Sequence, residues 1–191
     1  SRRYFISYRR DNTFLLEKLM EKIGLLINAM IHYYSGDARR INHFLKVYGF
    51  AKAIGESEGL DERTQETLEI AALTHDIGIK NSEIKYDSSS GNYQQIEGPP
   101  EAKSLLENLD VDPTIVERVC WLIAHHHSYT DIQGIDYQIL VEADFLVNVF
   151  EDNMSIDAIR KIDNNIFRTR TGKKFLNTMF EVNSMRGVGF P

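Results

Sequence analysis

An all-α fold follows from three observations on this 191-residue chain. Its prolines are Pro99, Pro100, Pro113 and Pro191, so the first half holds no residue that breaks a helix by lacking an N–H. Apolar residues recur at the three- and four-residue spacing of one helix face through most of the sequence. Strict alternation of apolar and polar residues never extends beyond a few positions, and no internal repeat is present.

The elements follow in order. Residues 13–34 form the first predicted helix, with Phe14, Leu15, Leu19, Ile23, Leu26, Met30 and Tyr33 at helical spacing and Ser35-Gly36 as its stop. Asp37 offers an N-cap oxygen to a second helix that runs to Gly59 and aligns His43, Val47, Phe50, Ala51 and Ile54. A third runs from about Asp61 to His75, aligning Leu68, Ala71, Ala72 and His75. Residues 81–98 (NSEIKYDSSSGNYQQIEG) are polar and rich in Ser and Gly, which predicts a long loop. Pro99 or Pro100 then starts a helix ending near Leu109. Asp112-Pro113 is a cap followed by proline at the first helical position, ahead of Val116, Val119, Ile123 and His126. Gly134 precedes a helix from about Asp136 to Glu151. Weaker helical patterns over 157–167 and 174–185 are separated by a predicted loop at 169–172.

Composition limits the partners. With 22 Lys+Arg against 28 Asp+Glu the formal net charge is −6, so no broad basic face is expected to track extended nucleic acid or an anionic membrane. Hydrophobic residues make up 42% of the chain, too many for a disordered one. Cys120 is the one cysteine, which excludes an internal disulfide and suits a reducing interior. No apolar run reaches the ~18 residues of a spanning helix. The Arg-rich opening (Arg2, Arg3, Arg9, Arg10) lacks the apolar stretch of a signal peptide, and a start at Ser1 rather than Met reads as a trimmed terminus. A single-domain cytoplasmic protein is the expectation.

Histidine and aspartate carry the chemistry. His43 lies on the apolar face of its helix, His75-Asp76 ends a helix rich in Leu and Ala, and Asp144 shares a face with Tyr137, Leu140, Val141, Asn148 and Glu151. Each has an ordinary reading alone: a hydrogen-bonded core histidine, a helix end, or an ion pair of Asp144 with Arg118. The run His125-His126-His127 alone reads as a solvated turn. An unpaired buried carboxylate is costly, however, and a metal ion is one of the few partners that removes the cost. Four helices that each present His or Asp on an inward face together point to a metal site.

These residues also carry a resemblance. Arg40-Ile41-Asn42-His43, then Ala71-Ala72-Leu73-Thr74-His75-Asp76-Ile77-Gly78, then Ile123 with His126, then Glu142-Ala143-Asp144 resemble the HD-domain superfamily of metal-dependent phosphohydrolases. The order His … His-Asp … His … Asp, each on its own helix, is that family's defining pattern. It implies a single HD helical bundle with its core at about 37–152, an N-terminal helix at 13–34 and a C-terminal helical extension at 155–186. It implies His43, His75, Asp76 and Asp144 as ligands of one divalent ion, with Fe, Mn, Co, Ni, Zn or Mg all compatible. Among the three adjacent histidines the family spacing from Ile123 selects His126, then His127, then His125. Binuclear branches carry a histidine in a context like Gly-His-Pro-Glu. Here the stretch is Gly98-Pro99-Pro100-Glu101, so Pro99 stands where that ligand would be. In the cyclic-dinucleotide branch a glutamate stands at the place of Arg39. One ion is therefore expected, with a second, weakly held near His126 or His127, as the alternative.

The implied reaction is hydrolysis of a phosphoester of a small phosphorylated molecule, a nucleotide above all, by metal-activated water. Asp76 would hold the metal and orient the water. His126 would stabilise phosphoryl oxygens or protonate the leaving group. Arg40, Lys80 and His127 would contact substrate, Arg39 is a further basic candidate, and 85–97 would form a selective lid. The segment after Met154, with Met179, Phe180, Met185 and Phe190, would cap the core or join a homodimer. Two other readings stand beside this one: a metal-binding regulatory or ligand-binding module without turnover, and an HD-type di-iron oxygenase.

Overall fold

The computed structural model describes residues 21–182, and every regular element among them is helical. Helix α1 is seen over 21–33, followed by α2 (Ala38–Glu58), α3 (Glu62–Thr74), α4 (Ile79–Tyr86) and α5 (Gly91–Asn108). Then come α6 (Pro113–His125), α7 (Ile135–Glu151), α8 (Ile156–Asn165) and α9 (Arg170–Phe180). The predicted beginning of the first helix, the arginines of the opening, and Met185 and Phe190 lie outside the described residues.

Helix ends fall where side chains can satisfy the first free N–H groups. Asp37 accepts from the Arg40 N–H, Asp61 from those of Arg63 and Thr64, and Asp112 from that of Thr114. Such caps contribute about 1 kcal/mol each. Gly59 closes α2 in the left-handed conformation at φ 76°, where a Cβ would be strained.

The core is built mainly from α2, α3, α6 and α7. Val47, Ala51 and Ile54 from α2 join Leu68, Ala71 and Ala72 from α3, Val119, Leu122 and Ile123 from α6, and Leu140, Ala143 and Leu146 from α7. Helix α7 is buried on all sides along most of its length, including its polar residues Gln138, Glu142 and Asp144. A helix so placed brings any acid it carries into the middle of the fold.

Two sequence-based expectations are corrected here. Residues 81–98 are not a loop: α4 and α5 occupy them, leaving only 87–90 between. The buried positions of α5, at Gln94, Glu97, Gly98, Ala102 and Leu106, do have helical spacing. Three of the five are polar or lack a side chain, so no apolar stripe marks the helix. Pro99 and Pro100 consequently lie inside α5 rather than at its start. Residues 169–172 are likewise no loop. Thr169 caps α9 by accepting from the Gly172 N–H, and α9 begins at Arg170.

That cap hangs on a buried acid. Glu142, with no exposed surface, accepts hydrogen bonds from Gln138 Nε2 (2.8 Å), the backbone N–H groups of Arg168 (2.6 Å) and Thr169 (2.9 Å), and the Thr169 hydroxyl. A Cβ on Gly172 would collide with the same carboxyl group. Glu142→Ala leaves several buried donors without an acceptor, each worth about 1–3 kcal/mol. Chemical denaturation of that variant is expected to show a loss of at least about 3 kcal/mol, and a loss below about 1 would show that the pin is dispensable.

Candidate metal centre

Four elements deliver the chemistry to one place. The middle of α2 supplies His43, the turn after α3 supplies His75 and Asp76, the turn after α6 supplies His126 and His127, and α7 supplies Asp144. All are buried or nearly so; Asp76 keeps about a fifth of its side chain exposed (21%), on the open side. His43 Nε2 lies 3.3 Å from both His75 Nε2 and Asp144 Oδ1. Asp76 Oδ2 is 3.5 Å from His43 Nε2 and 3.4 Å from His75 Nε2, while its Oδ1 is 3.5 Å from His126 Nε2. Two trios result, His43–His75–Asp144 and Asp76–His126–His127, each with candidate ligand atoms within 4.8 Å of one another. Asp76 faces both.

The orientation of the rings identifies what they can bind. His75 Nδ1 donates to the Ala72 carbonyl (2.9 Å), His126 Nδ1 to the Ile123 carbonyl (2.8 Å), and His43 Nδ1 to the Glu151 carboxylate (3.1 Å). With the proton on Nδ1, each neutral ring turns an Nε2 lone pair inward. Two such lone pairs, on His43 and His75, stand 3.3 Å apart, and His126 Nε2 is buried without a hydrogen-bond partner. Only a proton or a metal ion reconciles lone pairs at that separation. The donor set therefore fits a divalent ion, with outer partners of the kind that hold metal-binding imidazoles.

The electrostatics agree. Burial disfavours the charged His75 ring, yet the neighbouring Asp76 and Asp144 carboxylates outweigh it and push its pKa up to about 9. His43 moves up as well, with the hydrogen bond to Asp144 and the nearby Asp76 charge overcoming burial. The imidazoles hold both aspartates below the usual carboxylate range against the opposing effect of burial, Asp76 most strongly. His127 is pulled down to about 4 by burial and by adjacent His126.

The other expected residues divide. His125 is turned away from the centre, stacked on Trp121 at 4.2 Å with Nδ1 donating to the Trp121 carbonyl. Arg118 pairs with Asp136 through two 2.8 Å contacts, and Asp144 accepts from Asn148 instead (2.9 Å). A cavity of about 300 Å³ opens on the centre, lined by Arg39, Arg40, His43, Asp76, Gln94 and Glu151 among others. Arg40 is committed to Asp37 (3.0 Å) and Glu83 (2.5 Å), whereas Arg39 is exposed, 3.9 Å from Asp152. Lys80 is not among the lining residues; its Nζ donates to the Tyr33 carbonyl (3.2 Å) over the Tyr33 ring.

The family model that matches the chain is the HD domain, over residues 40–160. The chain belongs to the HD-domain family. A solved structure from an uncultured Thermotogales bacterium, named as a predicted HD superfamily hydrolase, has the same fold. It aligns at TM-score 0.63 and 24% identity over 87% of this chain and 91% of that one. No curated protein matches the chain significantly. In this HD domain the His-Asp turn at 75–78 is braced by residues whose bracing role carried no sequence signal. Tyr34 donates to the Asp76 carbonyl (2.7 Å) and Tyr33 to that of Ile77 (3.2 Å). On the other side Gly78 meets α5 so closely that a Cβ would stand 2.7 Å from the Gln94 carbonyl oxygen. Glu151 did carry a signal, lying two turns beyond Asp144 on one face, but its role in orienting His43 appears only in three dimensions.

Two outcomes are expected. Glu151→Ala should weaken divalent-ion affinity about 10–100-fold in a chelator-competition titration, because His43 loses the acceptor that orients it. The second concerns protein stripped of metal with EDTA. His75 binds its proton more tightly folded than unfolded, so its stabilising contribution is complete below about pH 6.5 and is lost as pH rises through about 9. Stability should fall across that window in the wild type and fall less steeply in His75→Gln; parallel curves would contradict the assignment.

Proposed function

We propose that the chain is a metal-dependent phosphohydrolase that cleaves a phosphoester of a small phosphorylated molecule, nucleotides being the first class to test. The observation that carries this reading is the buried His/Asp cluster that opens, through Asp76, onto a cavity with arginine in its wall. His43, His75, Asp76 and Asp144 would hold one divalent ion, and Asp76 with His126 and His127 would hold a second, weaker one. A bound ion supplies neutralisation of phosphoryl charge and lowers the pKa of water.

The chain's own residues do the rest. Asp76 is the acid that reaches both trios and the cavity, which suits it to orient a water and accept its proton. His126 donates its Nδ1–H to Ile123, so the neutral ring offers a lone pair and no free N–H toward Asp76. That favours cation binding over leaving-group protonation for His126, which would serve as an acid only when protonated. Arg39, exposed at the cavity wall and only loosely paired, is a better placed phosphate contact than Arg40 or Lys80, whose charges are engaged elsewhere. The acidic balance of −6 is no obstacle, since a bound ion supplies positive charge where the phosphate sits.

The test is turnover of nucleoside mono-, di- and triphosphates, dinucleotides and sugar phosphates by protein loaded with Mn²⁺, Co²⁺, Fe²⁺, Ni²⁺, Zn²⁺ or Mg²⁺. Asp76→Ala should lose at least about 100-fold in kcat/KM, while His125→Ala, altered outside the centre, keeps wild-type activity. Tight metal binding with no turnover of any phosphoester would make the chain a binding module, and unchanged turnover in Asp76→Ala would refute the mechanism.

A further inference from the structure

His127 is held differently from every other histidine of the centre. The rings of His43, His75 and His126 each give a proton from Nδ1 to an acceptor outside the cluster. His127 instead meets Gln94 on α5, its Nε2 lying 3.2 Å from Gln94 Oε1. The Gln94 amide cannot be turned round, because its Nε2 donates to the Ser89 carbonyl at 2.7 Å. Reversal would set two carbonyl oxygens against each other at that distance. Oε1 is therefore the atom that faces His127, and an amide oxygen only accepts, so the His127 Nε2 must donate. A neutral imidazole has one N–H, which leaves the lone pair on Nδ1.

A second contact orients the same ring. Gly91, the first residue of α5, lies so close that a Cβ there would stand 2.7 Å from His127 Cδ2 and 2.8 Å from Cγ. The Cγ–Cδ2–Nε2 edge thus lies along α5, from Gly91 to Gln94 one turn later. Gln95 ties the same turn to the residue after the histidine run, through Ser128 Oγ at 3.1 Å. We propose that the first turn of α5 is a positioning cradle for His127, in which Gly91 admits the ring and Gln94 fixes its Nε2–H tautomer, leaving the lone pair on Nδ1. Gln94 and Gly91 are positioning residues in this scheme; they act through His127. The inference deepens the proposed function and rests on it only in counting His127 among the groups of the centre. It also gives α5 a role at the site, although Pro99 stands where a histidine of that helix would otherwise be expected.

The test uses ¹⁵N-labelled full-length protein stripped with EDTA, at neutral pH, with long-range ¹H–¹⁵N correlation of the imidazole rings. Wild type is expected to show His127 protonated at Nε2, against Nδ1 protonation of His126. Gln94→Leu is expected to move His127 to a mixture of both tautomers, and Gln94→Glu, which keeps an acceptor in place, to retain Nε2–H. The His126 signal reports in each variant whether the site is folded. His127 protonated at Nδ1 in the wild type, or an unchanged tautomer in Gln94→Leu with the His126 signal intact, overturns the proposal. Neither readout needs a metal or a substrate, so a failure of the phosphohydrolase reading would be seen separately, in the turnover assay.

Discussion

Two carboxylates and four imidazoles share the interior of this helical bundle, and the carboxylates face the rings at 3.3–3.7 Å. Among the described residues, the ion pairs of Asp76 and Asp144 are all with histidines. Among those residues no lysine or arginine pairs with either aspartate, so their charge is met by protons on the rings or by a cation. Much of the surrounding architecture serves that constraint. Helix α7 runs buried through the middle on its apolar residues and so carries Asp144 inward. Each ring takes its outer hydrogen bond from the element nearest to it: a carbonyl of its own helix for His75 and His126, the end of α7 for His43, and α5 for His127.

The His-Asp turn is supported from two sides. Its Asp76 and Ile77 carbonyls accept from the hydroxyls of Tyr34 and Tyr33, adjacent residues at the C-terminal end of α1. Its glycine lets α5 approach to within contact of the backbone, and Gly98 of α5 in turn leaves no room for a Cβ against Ile123 of α6. Helix α1, distant in sequence from the motif, is in this way part of the scaffold that aims Asp76. The C-terminal helices are attached through a different buried acid, Glu142, two residues before the Asp144 that faces the centre and on another side of α7.

Legibility in the sequence followed the chemistry of each signal. Helices marked by an aspartate cap and an apolar stripe were readable, and so was the gathering of His43, His75 and Asp144 in one place, because each stands on a largely apolar stripe. Helix α4 and the first half of α5 were not readable: the inward positions there include Ser82, Gln94, Glu97 and Gly98, and a polar interior face looks like a loop, whereas the second half of α5 was read as a helix from Pro99 or Pro100 onward. The start of α9 was hidden for a related reason, since Thr171 and Gly172 are weak helix formers in a turn held by tertiary contacts of Thr169 to Glu142 and of Thr171 to Glu58. Basic residues were the least predictable. Arg40 and Lys80 stand near the motif in sequence, but the partners that engage them, Glu83 and the Tyr33 carbonyl, come from other helices.

If a cation is what this interior is built around, its binding must appear as folding stability. The direct measurement is thermal unfolding of EDTA-stripped, dialysed protein as Mn²⁺ or Zn²⁺ is added back, with His75→Gln run in parallel. Binding to the folded chain alone predicts stabilisation that grows with the logarithm of ion concentration, about 2.7 kcal/mol at a hundredfold excess over Kd, and largely abolished in His75→Gln. A melting temperature that ignores the ion, or rises equally in the variant, would contradict the account.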